Sequence, residues 1–135
     1  MREILFRGKS VDGGEWLYGH YVHQYGADMI YLPDGVDREY GFDYYHIDKE
    51  TVGQYTGLTD KNGKKIFEGD IIKYLYHKSY NVIAFENGAF GYTTKRFECF
   101  RSFDDGEDGI AADLAEVIGN IHDNPELLKE SEDTE

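Results

Sequence analysis

One run of the sequence, Glu50 to Tyr74, leaves the chain little option other than β-structure. It reads ETVGQYTGLTDKNGKKIFEGDIIKY. Glu50 to Tyr55 is rich in β-branched and aromatic residues and predicts a strand. Gly53 inside it predicts a bulge, or a close approach by another backbone or a large ring. Gly57 frees the chain to turn. Asp60, Asn62 and Gly63 form a second turn signal, because Asn-Gly readily adopts positive φ. Lys61, Lys64 and Lys65 keep that tip solvated. Ile66 and Phe67 are expected to be buried, and Glu68-Gly69-Asp70 makes a tight corner. Ile71-Ile72 then opens a strand that runs to about His77. A turn ending in Gly-Asp before a β-branched strand is common in small SH3-like barrels.

Two further segments accompany this run. The chain opens with Arg2-Glu3-Ile4-Leu5-Phe6-Arg7-Gly8-Lys9, followed by Glu15-Trp16-Leu17-Tyr18-Gly19. It finishes with Glu116-Val117-Ile118-Gly119-Asn120-Ile121 and Asn124-Pro125-Glu126-Leu127-Leu128. In that order the three motifs resemble the YopX family, proteins of bacteriophages and prophages in Gram-positive bacteria. The segments 23–46 and 75–115 carry no such signature. The resemblance implies a β-rich fold with SH3-like barrel character, and self-association. It implies no catalytic residue.

Composition points the same way. Twelve Tyr and eight Phe with sixteen Gly and only two Pro favour strands joined by tight turns. The expected class is mainly β, a small SH3-like barrel or β-sheet architecture with one short C-terminal helix. The expected organisation is an N-terminal β lobe, 1–56, and a C-terminal SH3-like lobe with the terminal helix, 57–135, or one continuous domain. No run approaches the length of a membrane span, and no signal-peptide pattern is present. The single cysteine, Cys99, fits a reducing compartment, which makes the cytoplasm of a bacterial host the expected location.

Charge is unevenly distributed. The net charge is −13, and residues 104–135 hold twelve acidic residues and one lysine. That segment carries −11 and the rest of the chain only −2. Such an acidic skirt favours solubility and repels a phosphate backbone.

In chain order, Glu3 to Arg7 predicts a first strand with Gly8-Lys9-Ser10 as its exit. Glu15 to His23 predicts a second, with Trp16, Tyr18 and, by a change of register, Tyr21 on an aromatic face. Met29 to Leu32 predicts a third, and Val36 to Tyr45 a loop. Val82 to Glu86, Asn87-Gly88 and Ala89 to Thr93 spell a two-residue hairpin with a type I′ turn. Its register sets Phe85 opposite Phe90 and Ile83 opposite Tyr92. Lys95 to Phe103 is a weaker strand candidate, Asp104 to Gly109 a loop, and Glu116 to Ile121 the last strand. Asn124 is placed to cap a short helix with Pro125 at its first position, ending near Lys129. Glu50-Thr51-Val52-Gly53-Gln54-Tyr55 is echoed by Glu116-Val117-Ile118-Gly119-Asn120-Ile121, and more loosely by Tyr18-Gly19-His20-Tyr21. Glycine-kinked strands common to barrels explain the echo. Two related half-barrels explain it too.

Candidate chemistry is sparse. His20 and His23 point to opposite faces of a strand, which separates them as metal ligands. Asp43, His46 and Asp48 form the one acid–histidine cluster, without a nucleophile tied to it. Glu68 and Asp70 are the weak metal candidates; the turn reading gives Asp70 backbone hydrogen bonds instead. The acidic run from Asp104 misses a calcium loop, because its twelfth position is Ala115 and Glu116 is one residue late. Cys99 reads as a buried thiol. No catalytic residue and no cofactor are expected.

The leading expectation is therefore a non-enzymatic, homo-oligomeric protein-interaction module, whose acidic C-terminal segment could engage a host protein. Its contact residues would include Lys61, Lys64, Lys65 and Tyr55. The alternatives are a single-stranded nucleic-acid-binding accessory protein using those residues, and a metal-dependent enzyme.

Overall fold

Alternating apolar and polar residues between glycine turns produce strands almost throughout. The computed structural model describes residues 3–32, 44–74, 80–86, 88–94, 99–102 and 115–128. Ten strands lie among them, and the only helical residues described are 126–128. The protein is mainly β, as its sequence predicts. No helix among the described residues is long and apolar enough to cross a membrane. The chain divides into two compact units, Met1–Tyr55 and Thr56–Glu135.

In the first unit, β1 (Phe6–Ser10), β2 (Trp16–Gln24), β3 (Ala27–Tyr31) and the start of β4 (Tyr44–Thr59) are antiparallel neighbours. β1 pairs with both β2 and β4, and β3 joins β2 to β4, so the pairings close on themselves. Closure removes the exposed strand edges that invite aggregation. β1 begins later than expected and includes Gly8-Lys9-Ser10, because Lys9 and Ser10 hold register with Asp48 and Ile47. β4 takes in Tyr44 and Tyr45, which the sequence places in a loop. Ile30 and Ile47 form the apolar interior. Gly19 is required there: a Cβ would stand 2.0 Å from the Tyr31 carbonyl oxygen.

The second unit takes in the end of β4, β5 (Lys65–Phe67), β6 (Asp70–Tyr74), β7 (Tyr80–Glu86), β8 (Ala89–Thr94), β9 (Cys99–Ser102) and β10 (Ala115–Asn120). One antiparallel sheet runs β10-β6-β7-β8-β9. Gly57 has positive φ but lies within β4, so the chain turns only after Thr59. Gly69 has φ 88° at the expected corner. The β7–β8 register is the expected one, Phe85 opposite Phe90 and Ile83 opposite Tyr92. Asn87, which would decide the turn type, lies outside the described residues. Ile66, Ile72, Ile83, Tyr92, Ala115 and Val117 pack as a buried cluster. Asn124 differs from a simple cap: its Oδ1 accepts the Asn120 amide proton at 3.2 Å.

Both members of the sequence echo sit where pairing is irregular. Register shifts opposite residues 48–53 of β4, and again between Val117 and Gly119 of β10. Two residues beyond each glycine, an amide reaches outside its ladder: Tyr55 N–H to Leu5 O at 2.7 Å, Ile121 N–H to Gly69 O at 2.9 Å. One such strand lies in each unit.

Candidate functional site

Several of the polar side chains buried in this fold hold backbone. Asp60 is 4% exposed. Its Oδ1 accepts the amide protons of Asn62 and Lys64, each at 2.9 Å, and its Oδ2 accepts that of Val117 at 2.9 Å. Burial raises the pKa of this carboxyl, but the Val117, Lys64 and Asn62 amides together outweigh burial, and the net shift is downward. Asp70 is 2% exposed, and its Oδ2 accepts the Phe67 amide proton at 2.8 Å. Thr51 Oγ1 accepts from Lys9 N–H and donates to Asp48 O. Thr56 Oγ1 donates to Ile66 O at 2.9 Å.

The lysine tip is built on Asp60. Lys64 and Lys65 are exposed, but Lys61 Nζ lies 3.6 Å from Glu116 Oε2, so part of its charge is neutralised. Tyr55 requires a correction. It is only 7% exposed, so its ring belongs to the interior and cannot serve as a surface contact. The reason is alternation along β4: Tyr55 follows the buried Thr51 and Gly53 at a spacing of two, and its amide donates to Leu5 O.

In the first unit the outer face of β2, β3 and β4 gathers rings instead. His20, Tyr31 and Tyr44 occupy one cross-strand row, and Val22, Met29 and His46 the next row on that face. Tyr31 and Tyr44 stack with centroids 5.1 Å apart, and His46 meets Tyr44 edge-on at 6.0 Å. Tyr18, two residues before His20, shares its face and is 44% exposed. Nearby, the Arg7 guanidinium lies 4.6 Å from the Trp16 ring centre.

Tyr21 lies on the opposite face, because the pairings of β2 show no register break there. The expected change of register at Gly19 is absent. Tyr21 donates its hydroxyl proton to Asp28 Oδ1, and His23 Nδ1 lies 2.9 Å from the same oxygen. The Tyr21 hydrogen bond, then that of His23, hold the Asp28 carboxyl below its ordinary pKa. The hydrogen bond to Asp28 and burial push the Tyr21 phenol up to about 12.

The sequence reading missed this cluster and the turn beside it. β2 and β3 are joined by Tyr25 and Gly26, both with positive φ, at 55° and 77°. Tyr25 is 97% exposed. The signal was available: a two-residue gap between alternating runs with Gly second is a hairpin pattern.

The remaining candidates are dispersed. His20 and His23 fall on opposite faces of β2 as expected, His20 in register with Tyr31 and His23 with Asp28. Asp48 Oδ1 accepts the Glu50 amide proton, while Asp43 lies outside the described residues. Glu68, beside Asp70, is half-buried at the corner. Among the described residues no three His, Cys, Asp or Glu side chains converge to hold a metal. The Cys99 side chain, the acidic run from Asp104 and the residues from 129 onward also lie outside the described residues. An open concavity of about 540 Å³ in the first unit is lined partly by Lys9, Ser10, Lys49 and Thr51.

Comparison with known proteins adds a family and a structural relative. The family model described as YopX protein matches residues 5–129. The crystal structure of protein EF1440 from Enterococcus faecalis is similar, with 28% sequence identity and a TM-score of 0.50. The match covers 95% of this chain and 99% of that one. No curated protein gives a significant match.

Proposed function

The chain belongs to the YopX protein family, and we propose that it is a non-enzymatic protein-interaction module that associates with further copies of itself. One observation carries this reading. Large rings lie on the surface of the first unit, Tyr18, Tyr25 and Tyr44 among them, while Asp60 and Asp70 are buried in backbone contacts. Tyrosine is enriched in interface cores, where a ring adds area at low entropic cost. We place the protein in the cytoplasm of a bacterial host, encoded by a phage or prophage. The acidic C-terminal segment is proposed to engage a basic surface on a host protein.

A nucleic-acid role draws less support. It relied on Tyr55, which is buried, and on Lys61, which faces Glu116. Sedimentation velocity tests the leading reading: species heavier than 15.6 kDa are expected at micromolar concentration. A strict monomer there counts against it.

A further inference from the structure

We propose that the ring-bearing face of β2, β3 and β4 is the surface on which one copy of this chain docks on another. This rests on the self-association reading above and assigns it a place. The strip consists of Tyr18, His20, Tyr31, Tyr44 and His46.

Three observations converge on it. First, the strip is already ordered. Cross-strand register fixes His20, Tyr31 and Tyr44 in one row, and ring contacts at 5.1 and 6.0 Å hold Tyr44 between Tyr31 and His46. Rings locked in the free protein lose little entropy on association.

Second, the strip lacks carboxylates. Neither the His20–Tyr31–Tyr44 row nor the Val22–Met29–His46 row contains one, and Asp28 belongs to the opposite face with His23. Further along β4, Asp48 is in register with Lys9. Residues 104–135 carry −11 of the net −13, so approaches that bring these segments of two copies together are repelled. A strip without carboxylates is where two acidic copies meet at least electrostatic cost.

Third, its chemistry is complementary to itself. A tyrosine hydroxyl both donates and accepts, and so does a neutral imidazole. Under a two-fold axis each such group can meet its counterpart on the sister copy. An oligonucleotide would bring phosphates to an acidic chain, and the arginine in register with Tyr18, Arg7, is only 5% exposed and lies over the Trp16 ring.

The test is light scattering on Tyr44→Glu and His46→Glu, with circular dichroism to confirm folding. Both residues are exposed, so a carboxylate at either position is solvated in the free chain. Association is expected to weaken by at least about 30-fold in each variant, the loss typical of an interface hot spot. Mass should fall to 15.6 kDa. Phe85→Ser, in the other unit, should leave the assembly intact. A wild type that is monomeric overturns the self-association reading and this inference with it. A wild-type oligomer that survives both glutamates overturns only the assignment of this face. If Tyr44→Glu does not fold, His46→Glu decides alone. A monomeric wild type whose tyrosine fluorescence is quenched by single-stranded DNA, with Tyr44→Ser abolishing the effect, would transfer the strip to base stacking.

Discussion

Asp60 Oδ2 accepts the Val117 amide proton at 2.9 Å, joining residues 57 positions apart. The other oxygen of the same carboxylate closes the lysine tip through Asn62 and Lys64. One buried side chain therefore shapes the tip and fastens it to β10, which also takes Lys61 N–H on the Ala115 carbonyl.

Replacing Asp60 by Ala leaves three amides without this acceptor. Hydrogen bonds to a charged group contribute about 1.5–3 kcal/mol each, though not additively, so a loss of about 3 kcal/mol or more is expected. Urea denaturation measures it. The pH dependence has a definite sign. The folded pKa of Asp60 is depressed, so its contribution is present above the unfolded value of about 3.9 and is lost as pH falls below it. Stability should decline below about pH 4, and less steeply in Asp60→Asn.

The phenol of Tyr21 should ionise at about 12. Subtracting the 295 nm titration of Tyr21→Phe from that of the wild type isolates this group among twelve tyrosines. Because its folded pKa is raised, Tyr21 contributes stability below pH 10 that disappears as pH climbs towards 12. The same variant should raise the pKa of Asp28, which loses its principal hydrogen bond. A difference curve centred near pH 10 would contradict the Tyr21–Asp28 contact.

Gly19→Ala and Gly119→Ala should differ in severity. At Gly19 the obstacle is the Tyr31 carbonyl, which cannot move without the strand. At Gly119 it is Asn124 Oδ1, 2.5 Å from the new Cβ, on a side chain that can rotate away at the cost of its bond to Asn120. Overpacking costs about 1–3 kcal/mol where neighbours yield, so Gly119→Ala should fall in that range and Gly19→Ala above it. Adding Asn124→Ala should relieve part of the Gly119→Ala loss. Thermal melts of the three proteins provide the comparison.

Tyr25 holds φ 55° with its side chain 97% exposed. The left-handed conformation costs a bulky residue about 1 kcal/mol or more, and exposure returns little packing. Tyr25→Asn or Tyr25→Gly should therefore stabilise the free chain by about 1 kcal/mol. A drop in Tm would show that the tyrosine ring makes contacts that outweigh the strain.

Local chemistry alone was enough for the mainly β class, the Gly69 corner and the register of the Phe85–Phe90 hairpin. Each follows from alternation and from a turn whose residues are adjacent in sequence. The inward turn of Tyr55, the place of Tyr21 with Asp28, and the Asp60–Val117 link were beyond such reasoning. They depend on which strand lies beside which, and on whether alternation along a strand runs unbroken, as it does through Gly19 of β2. β1 closing on β4 is a choice among distant partners, made by the whole set of contacts. Side-chain polarity marked Asp60 as a turn residue; only the packed chain gave it a third amide to hold.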